Sequence, residues 1–139
     1  MAEDADLARA MNALRRVWAE ELLRIGYADT TRRQSLRRIN AQQTALAAAA
    51  LEVAGELALA ALQRKYGVGE ARATFAILGL GRLGHNGVDY GSDLDVIVVY
   101  EDQAGSPLAR LSAPEAYDHV VELLIHILST ITHEGYLYR

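Results

Sequence analysis

Cysteine is absent from these 139 residues. Its absence excludes disulfides, thiolate metal sites and cysteine nucleophiles together, and leaves the redox compartment unmarked. Lysine is nearly absent as well: Lys65 stands alone beside 13 arginines. With 24 alanines, this bias reflects a genome's composition rather than a function. Positive charge is not in excess. The formal net charge of −4 argues against a protein that holds nucleic acid by bulk electrostatics. No uninterrupted apolar run reaches the ~18–20 residues of a membrane span. The opening Met1-Ala2-Glu3-Asp4 lacks the basic and then apolar pattern of a signal peptide. Those absences lead to the expectation of a cytoplasmic chain with neither membrane nor nucleic acid as partner.

What is present is globular. Apolar residues make up 51% and charged residues 23%, which excludes a disordered or low-complexity chain. The length suits one domain, or one domain plus a piece. Leu7, Met11, Leu14, Val17, Trp18, Leu22 and Ile25 keep the rhythm of one helical face, with Gly26 as a terminator. Tyr27 to Ser35 reads as a connection. Leu36, Ile39, Leu46, Ala50, Val53, Leu57 and Leu62 continue as a second helix, which should stop near Tyr66-Gly67. The texture changes at about residue 70, so the chain divides into a helical part, 1–66, and an α/β part, 67–139.

In the second part, Thr74 to Leu78 reads as a strand. Leu94 to Tyr100 reads as a second, apolar on both faces like a strand covered on both sides. Ser112, Pro114 and Glu115 open a helix with a capping box. Its buried positions are Tyr117, Val120, Val121, Leu124, Leu128 and Ile131, and Glu134-Gly135 ends it. Tyr136-Leu137-Tyr138 begins a further strand, in which the chain stops. The fold class expected is α/β in the α+β sense, a small mixed sheet flanked by helices behind a helical N-terminal part.

The chemistry concentrates in Gly79 to Val96. Asp93 and Asp95 flank one apolar residue at the entry of a strand, where residues i and i+2 share a face about 6.5 Å apart. Both carboxylates can converge on one hard divalent cation, Mg²⁺ or Mn²⁺, whose remaining sites go to water and phosphate. The upstream glycines let backbone N–H groups approach a phosphate chain. Together these parts suit phosphoryl or nucleotidyl transfer. Read alone, an Asp-x-Asp pair is an ordinary polar strand entry; the Gly-rich turn ahead and the apolar strand behind raise it above that. Gly79-Leu80-Gly81-Arg82-Leu83-Gly84 also satisfies the dinucleotide-binding G-x-G-x-x-G. That alternative requires a helix of three turns from Gly81. His85 to Ser92 carries no helical period, and the next strand comes too soon for a βαβ crossover.

Phe75 to Gly84 followed by Tyr90-Gly91-Ser92-Asp93-Leu94-Asp95-Val96-Ile97-Val98-Val99-Tyr100 resembles the nucleotidyltransferase domain of the glutamine synthetase adenylyltransferases, polymerase-beta-like nucleotidyltransferases. Leu80-Gly81-Arg82, a ten-residue spacer and Asp93-Leu94-Asp95 match that superfamily's pattern. The resemblance extends to Glu21 to Ile25, the Ala-rich helix, Leu128-Ser129-Thr130 and Glu134 to Arg139. It implies that Asp93 and Asp95 are catalytic metal ligands for Mg²⁺. Gly81, Arg82 and Gly84 then cradle phosphate, and Ser92 touches phosphate or orients the loop. It implies ATP as substrate, ADP as product of the reverse activity, and AMP transfer to or from a tyrosine of glutamine synthetase. It also implies a response to a PII-type signalling protein and a role in nitrogen metabolism. Which of the family's two catalytic copies is at hand stays open, and a non-catalytic nucleotide-binding regulatory domain is the alternative. His85-Asn86-Gly87-Val88 departs from the family's Glu-containing stretch. The family's third carboxylate falls just past Arg139, so the core is expected to be truncated and the chain alone inactive. Asp89, Glu101 and Asp102 are near in sequence, yet none is an obvious stand-in.

Other features have plainer readings. His119, His126 and His133 recur every seven residues, about 10.5 Å apart on a helix, too far to share a metal, and read as an exposed stripe. Arg32-Arg33 and Arg37-Arg38 read as a solvated basic surface. Tyr90 and Tyr100 bracket the site as packing residues that could also stack on adenine, and Trp18 reads as core.

Overall fold

The computed structural model describes residues 2–31 and 34–138; Arg32, Arg33 and Arg139 lie outside the described residues. Two long helices, α1 (Ala2–Thr30) and α2 (Leu36–Tyr66), precede strand β1 (Phe75–Gly79). A single-turn helix α3 (Gly81–Gly84), strand β2 (Val96–Tyr100) and helix α4 (Ala113–Ser129) follow. The fold is α+β, as expected.

Helix α2 is the centre, with α1 and α4 packed against it. Its buried positions, Ile39, Gln43, Ala47, Ala50, Leu51, Ala54, Ala58 and Leu62, follow the helical period. Four of these eight are alanines, so neighbouring backbones approach closely there. By length and composition this helix is apolar enough to cross a membrane; in this fold it is the core helix. Gly67, at φ +88°, ends it, and its N–H donates to Gln63 O at 2.9 Å. One hydrophobic cluster joins Met11 of α1, Ala47 to Ala58 of α2, Val88, and Leu124 to Leu128 of α4, so the helical part and the sheet share a core.

Strands β1 and β2 pair antiparallel, from Phe75 opposite Tyr100 to Gly79 opposite Val96. Tyr117 of α4 anchors this ribbon: its hydroxyl accepts from Thr74 N at 2.9 Å and donates to Thr74 O at 3.2 Å, and its ring stacks on Tyr100. Ser112 and Glu115 cap α4 as expected, the Glu115 carboxylate accepting from the Ser112 N–H and hydroxyl at 2.9 and 2.7 Å.

Several local expectations are overturned. Helix α1 runs through Gly26 to Thr30. An interior glycine costs only about 1 kcal/mol, and Thr30 and Thr31 hydroxyls satisfy the Tyr27 carbonyl at the true end. Strand β2 is covered on one face only. Leu78, Ile97 and Val99 on the other face are 48–49% exposed, because the helices all lie beneath the alternate residues. Helix α4 stops at Ser129 rather than Glu134, leaving Ile131 exposed and His133 off the helix. The cause is Arg15 of α1. Its buried guanidinium donates to Ile127 O at 2.9 Å, Thr130 O at 2.7 Å and Gly135 O at 3.0 Å, claiming carbonyls at the helix end and holding the turn beyond it. Tyr136 to Tyr138 is not a strand. Leu137 and Tyr138 both donate backbone N–H to Leu128 O, and their side chains enter the core.

Candidate functional site

The 79–96 segment is built on the open end of the ribbon. Past Gly79 the ladder continues by one bond, Leu80 N to Asp95 O at 2.8 Å, which places the start of α3 directly across from Asp95. Gly81 sits at φ +49°, and a Cβ there would lie 2.9 Å from Asp95 Oδ2. Only glycine meets both demands: a left-handed backbone and room for the carboxylate. Gly84 answers a different need, since a Cβ would fall 2.7 Å from Gly79 O. Its N–H donates to Leu80 O at 3.0 Å, so that group is spent within the turn. The His85 ring donates to Gly81 O from Nδ1 in the tautomer that carries its proton there.

The connection from α3 to the Asp pair has no long helix, and β1 and β2 are antiparallel neighbours. A βαβ crossover is therefore absent here, and the dinucleotide alternative falls. Val88 plugs the loop into the core at 1% exposure, and its N–H donates to the Thr44 hydroxyl of α2 at 3.2 Å. Asp89 to Ser92 forms a turn closed by Ser92 N to Asp89 O at 3.1 Å.

Alternation of exposure along Ser92 to Val96 puts both Asp93 and Asp95 on the open side, with Leu94 and Val96 turned to the core. This is the shared face expected of the pair, and it continues into the uncovered Ile97 and Val99. Arg82 reaches over the loop, its Nη1 donating to Ser92 Oγ at 3.3 Å, while Asp89 N donates to the same oxygen at 3.0 Å. The Ser92 hydroxyl thus fastens the loop beside Asp93. Gly81, Arg82, Ser92 and the two carboxylates form one surface; Gly84 is the packing glycine behind it.

Of the acidic residues near in sequence, Asp89 and Glu101 have other places. Asp89 caps its own turn by accepting from Tyr90 N at 2.8 Å, and Glu101 follows the far end of β2. Among the described residues no three His, Cys, Asp or Glu side chains are grouped to hold a metal. The pair itself suits a hard cation that completes its shell with water and phosphate, and the space left by Gly81 above the Asp95 carboxylate fits that use. Tyr100 is committed to Tyr117, with ring centroids 4.3 Å apart. Tyr90 is about half exposed. Its hydroxyl donates to Asp29 Oδ2 at 3.2 Å, and partial burial with that carboxylate raises its pKa above the ordinary phenol value. His119 stacks on Tyr66 away from the site.

A family model described as glutamate-ammonia ligase adenylyltransferase matches residues 1–139, the whole chain. The chain belongs to the glutamate-ammonia ligase adenylyltransferase family. A relative from Nitrosococcus oceani is 33% identical over 96% of this chain, and one from Burkholderia mallei is 33% identical over 91%. A third, from Psychromonas ingrahamii, is 29% identical over 98%. Each is named a bifunctional glutamine synthetase adenylyltransferase/adenylyl-removing enzyme. The chain spans about 15% of the length of these relatives. Within the adenylyltransferase family frame, sequence reasoning missed Thr44 and Arg15, which position the loop and the 130–138 segment. The one signal was a polar residue on an otherwise apolar helical stripe.

Proposed function

We propose that these residues form part of a Mg²⁺-dependent nucleotidyltransferase site acting on glutamine synthetase. In one direction a tyrosine hydroxyl attacks the α-phosphorus of ATP and pyrophosphate leaves. In the other, phosphate attacks the same phosphorus of the adenylyl-tyrosine, releasing the tyrosine and ADP. The observation that carries this reading is the Asp93–Asp95 pair on the open face, with Gly81 vacating the space over Asp95. Asp93 and Asp95 would hold Mg²⁺, with Mn²⁺ able to take its place. When bound, the ion offsets phosphate charge and aligns the leaving group. The Gly81–Gly84 turn lets phosphate come close, Arg82 supplies a charged donor to it, and Ser92 keeps Arg82 and the loop in register.

The names of the relatives support glutamine synthetase as the protein substrate. A PII-type signalling protein as regulator follows from the family resemblance. The cytoplasm is the proposed compartment. The net charge of −4 supports a site without nucleic acid, and the burial of α2 among α1 and α4 supports one without a membrane. Because among the described residues no third carboxylate is grouped with the pair, residues 1–139 by themselves are proposed to turn over poorly. Loss of such electrostatic positioning costs ~10²–10³-fold in rate. The test compares this chain with a form extended by about a hundred residues, a domain's length, using labelled ATP, Mg²⁺ and purified glutamine synthetase. Transfer by the extended form is expected. ATP binding without transfer in the extended form would instead identify a non-catalytic nucleotide-binding regulator, and equal turnover by both forms would place the whole site within residues 1–139.

A further inference from the structure

Between α1, α2, the 89–93 loop and the 134–138 segment lies a cavity of about 410 Å³, with Ser92 and Asp93 in its lining. No role assigned above uses it. Its wall is aromatic: Trp18, Tyr90 and Tyr138 line it. Trp18 and Tyr138 are locked edge to face at 5.6 Å, the indole N–H donating to the Tyr138 hydroxyl at 2.8 Å. Gln43 of α2 also lines it. This side chain is only 3% exposed, and its Nε2 has no hydrogen-bond partner. An orphaned buried amide donor loses its hydration without return. An acceptor carried into the cavity by a ligand restores that bond. The terminal torsion of glutamine is soft, so the amide turns toward the cavity without movement of α2.

We infer that this cavity seats the base of the nucleotide, and that Gln43 selects the base through an acceptor on its ring. The inference rests on the nucleotide-transfer reading above. The volume lies within the usual range for small-ligand sites, and aromatic walls favour a flat ring. Asp93 lines the same cavity, so a ligand whose base fills it carries its phosphates beside that carboxylate. A substrate tyrosine fits less well. Its single oxygen would have to satisfy Gln43 and also attack phosphorus beside Asp93, two different parts of the lining. A base separates the two tasks, with its acceptors on the ring and its phosphates at the far end.

The test titrates the full chain with Mg·ATP and with Mg·inorganic triphosphate, which carries no base, by calorimetry. Wild type is expected to bind ATP about tenfold more tightly than triphosphate, the scale of one recovered hydrogen bond plus ring contact. Gln43→Met keeps the length of the side chain and removes the donor. It should narrow that ratio to about twofold or less while leaving triphosphate affinity unchanged. Leu46→Trp, at another lining position, fills the cavity and should bring ATP down to the triphosphate level, and it decides the matter if Gln43→Met fails to fold. Wild type binding ATP and triphosphate equally, or variants that keep the wild-type ratio, would overturn the base seat and leave the phosphate site standing. Failure of wild type to bind triphosphate at all would overturn both.

Discussion

Substituting Gly81 with alanine separates the two things this glycine does. Its φ of +49° places an L-residue in the left-handed region, at about 1–2 kcal/mol. The new methyl would also lie 2.9 Å from Asp95 Oδ2, closer than carbon and oxygen tolerate, so the carboxylate must swing away. For a chain of 139 residues the backbone cost alone lowers the melting temperature by roughly 3–7 °C. Gly91→Ala is the control. Gly91 has φ +70°, yet nothing lies within 4 Å of its would-be Cβ, so it should lose a similar few degrees without disturbing either carboxylate. Thermal unfolding followed by circular dichroism reads the first quantity, and calorimetric titration with Mg·ATP reads the second. Gly81→Ala should lower both stability and Mg·ATP affinity, the latter at least tenfold; Gly91→Ala, on the loop that walls the proposed base cavity, should lower stability and leave the affinity for Mg·triphosphate unchanged. A Gly81→Ala protein that melts within a degree of wild type and binds Mg·ATP equally well would refute the argument that this glycine is there to make room for Asp95.

Replacing both Asp93 and Asp95 with Asn should abolish Mg²⁺-dependent ATP binding in the same titration while leaving the melting temperature nearly unchanged, because two neighbouring like charges are removed; undiminished binding would sink the metal assignment. Tyr117→Phe removes both hydrogen bonds to Thr74 and takes the acceptor from the Thr74 N–H, while the Thr74 carbonyl keeps its bond from Glu101 N, so a loss of about 0.5–1.5 kcal/mol in denaturant unfolding is expected, with no measurable loss counting against the anchor. Thr44→Val should speed hydrogen exchange at Val88, whose N–H loses its acceptor, and an unchanged rate would show that Val88's burial alone holds the loop. The Glu115 carboxyl is held below its ordinary value by its bonds to the Ser112 hydroxyl and backbone. Its capping stabilisation is therefore full above the unfolded pKa and fades as pH falls through the lower folded value. The melting-temperature gap between wild type and Glu115→Gln should be present at pH 7 and close in strong acid, and a gap constant with pH would contradict the assignment.

Features legible from the residues alone depend on neighbours a few positions away along the chain. The period of α2, its stop at Gly67, the cap of α4 at Ser112 and the β-branched run of β2 are local preferences, and the structure shows each of them. So was the shared face of Asp93 and Asp95, since alternation along an extended chain needs no knowledge of partners. Gly81 carried a motif signal, but its reason, the nearness of Asp95 across the ladder, belongs to the fold. The bare face of β2 depends on which layers pack over it, so it follows from the fold and not from the strand's own residues. Arg15 ends α4 early by bonding to carbonyls more than a hundred residues away, a contact that no local pattern encodes. The same holds for Tyr136 to Tyr138: their apolar and aromatic character fitted a strand, but the Leu137 and Tyr138 N–H groups donate to the Leu128 carbonyl instead. Buried polar groups such as Thr44 and Gln43 interrupt an apolar stripe in the sequence. What each one bonds to, or lacks, is set by the loops and helices that fold over it.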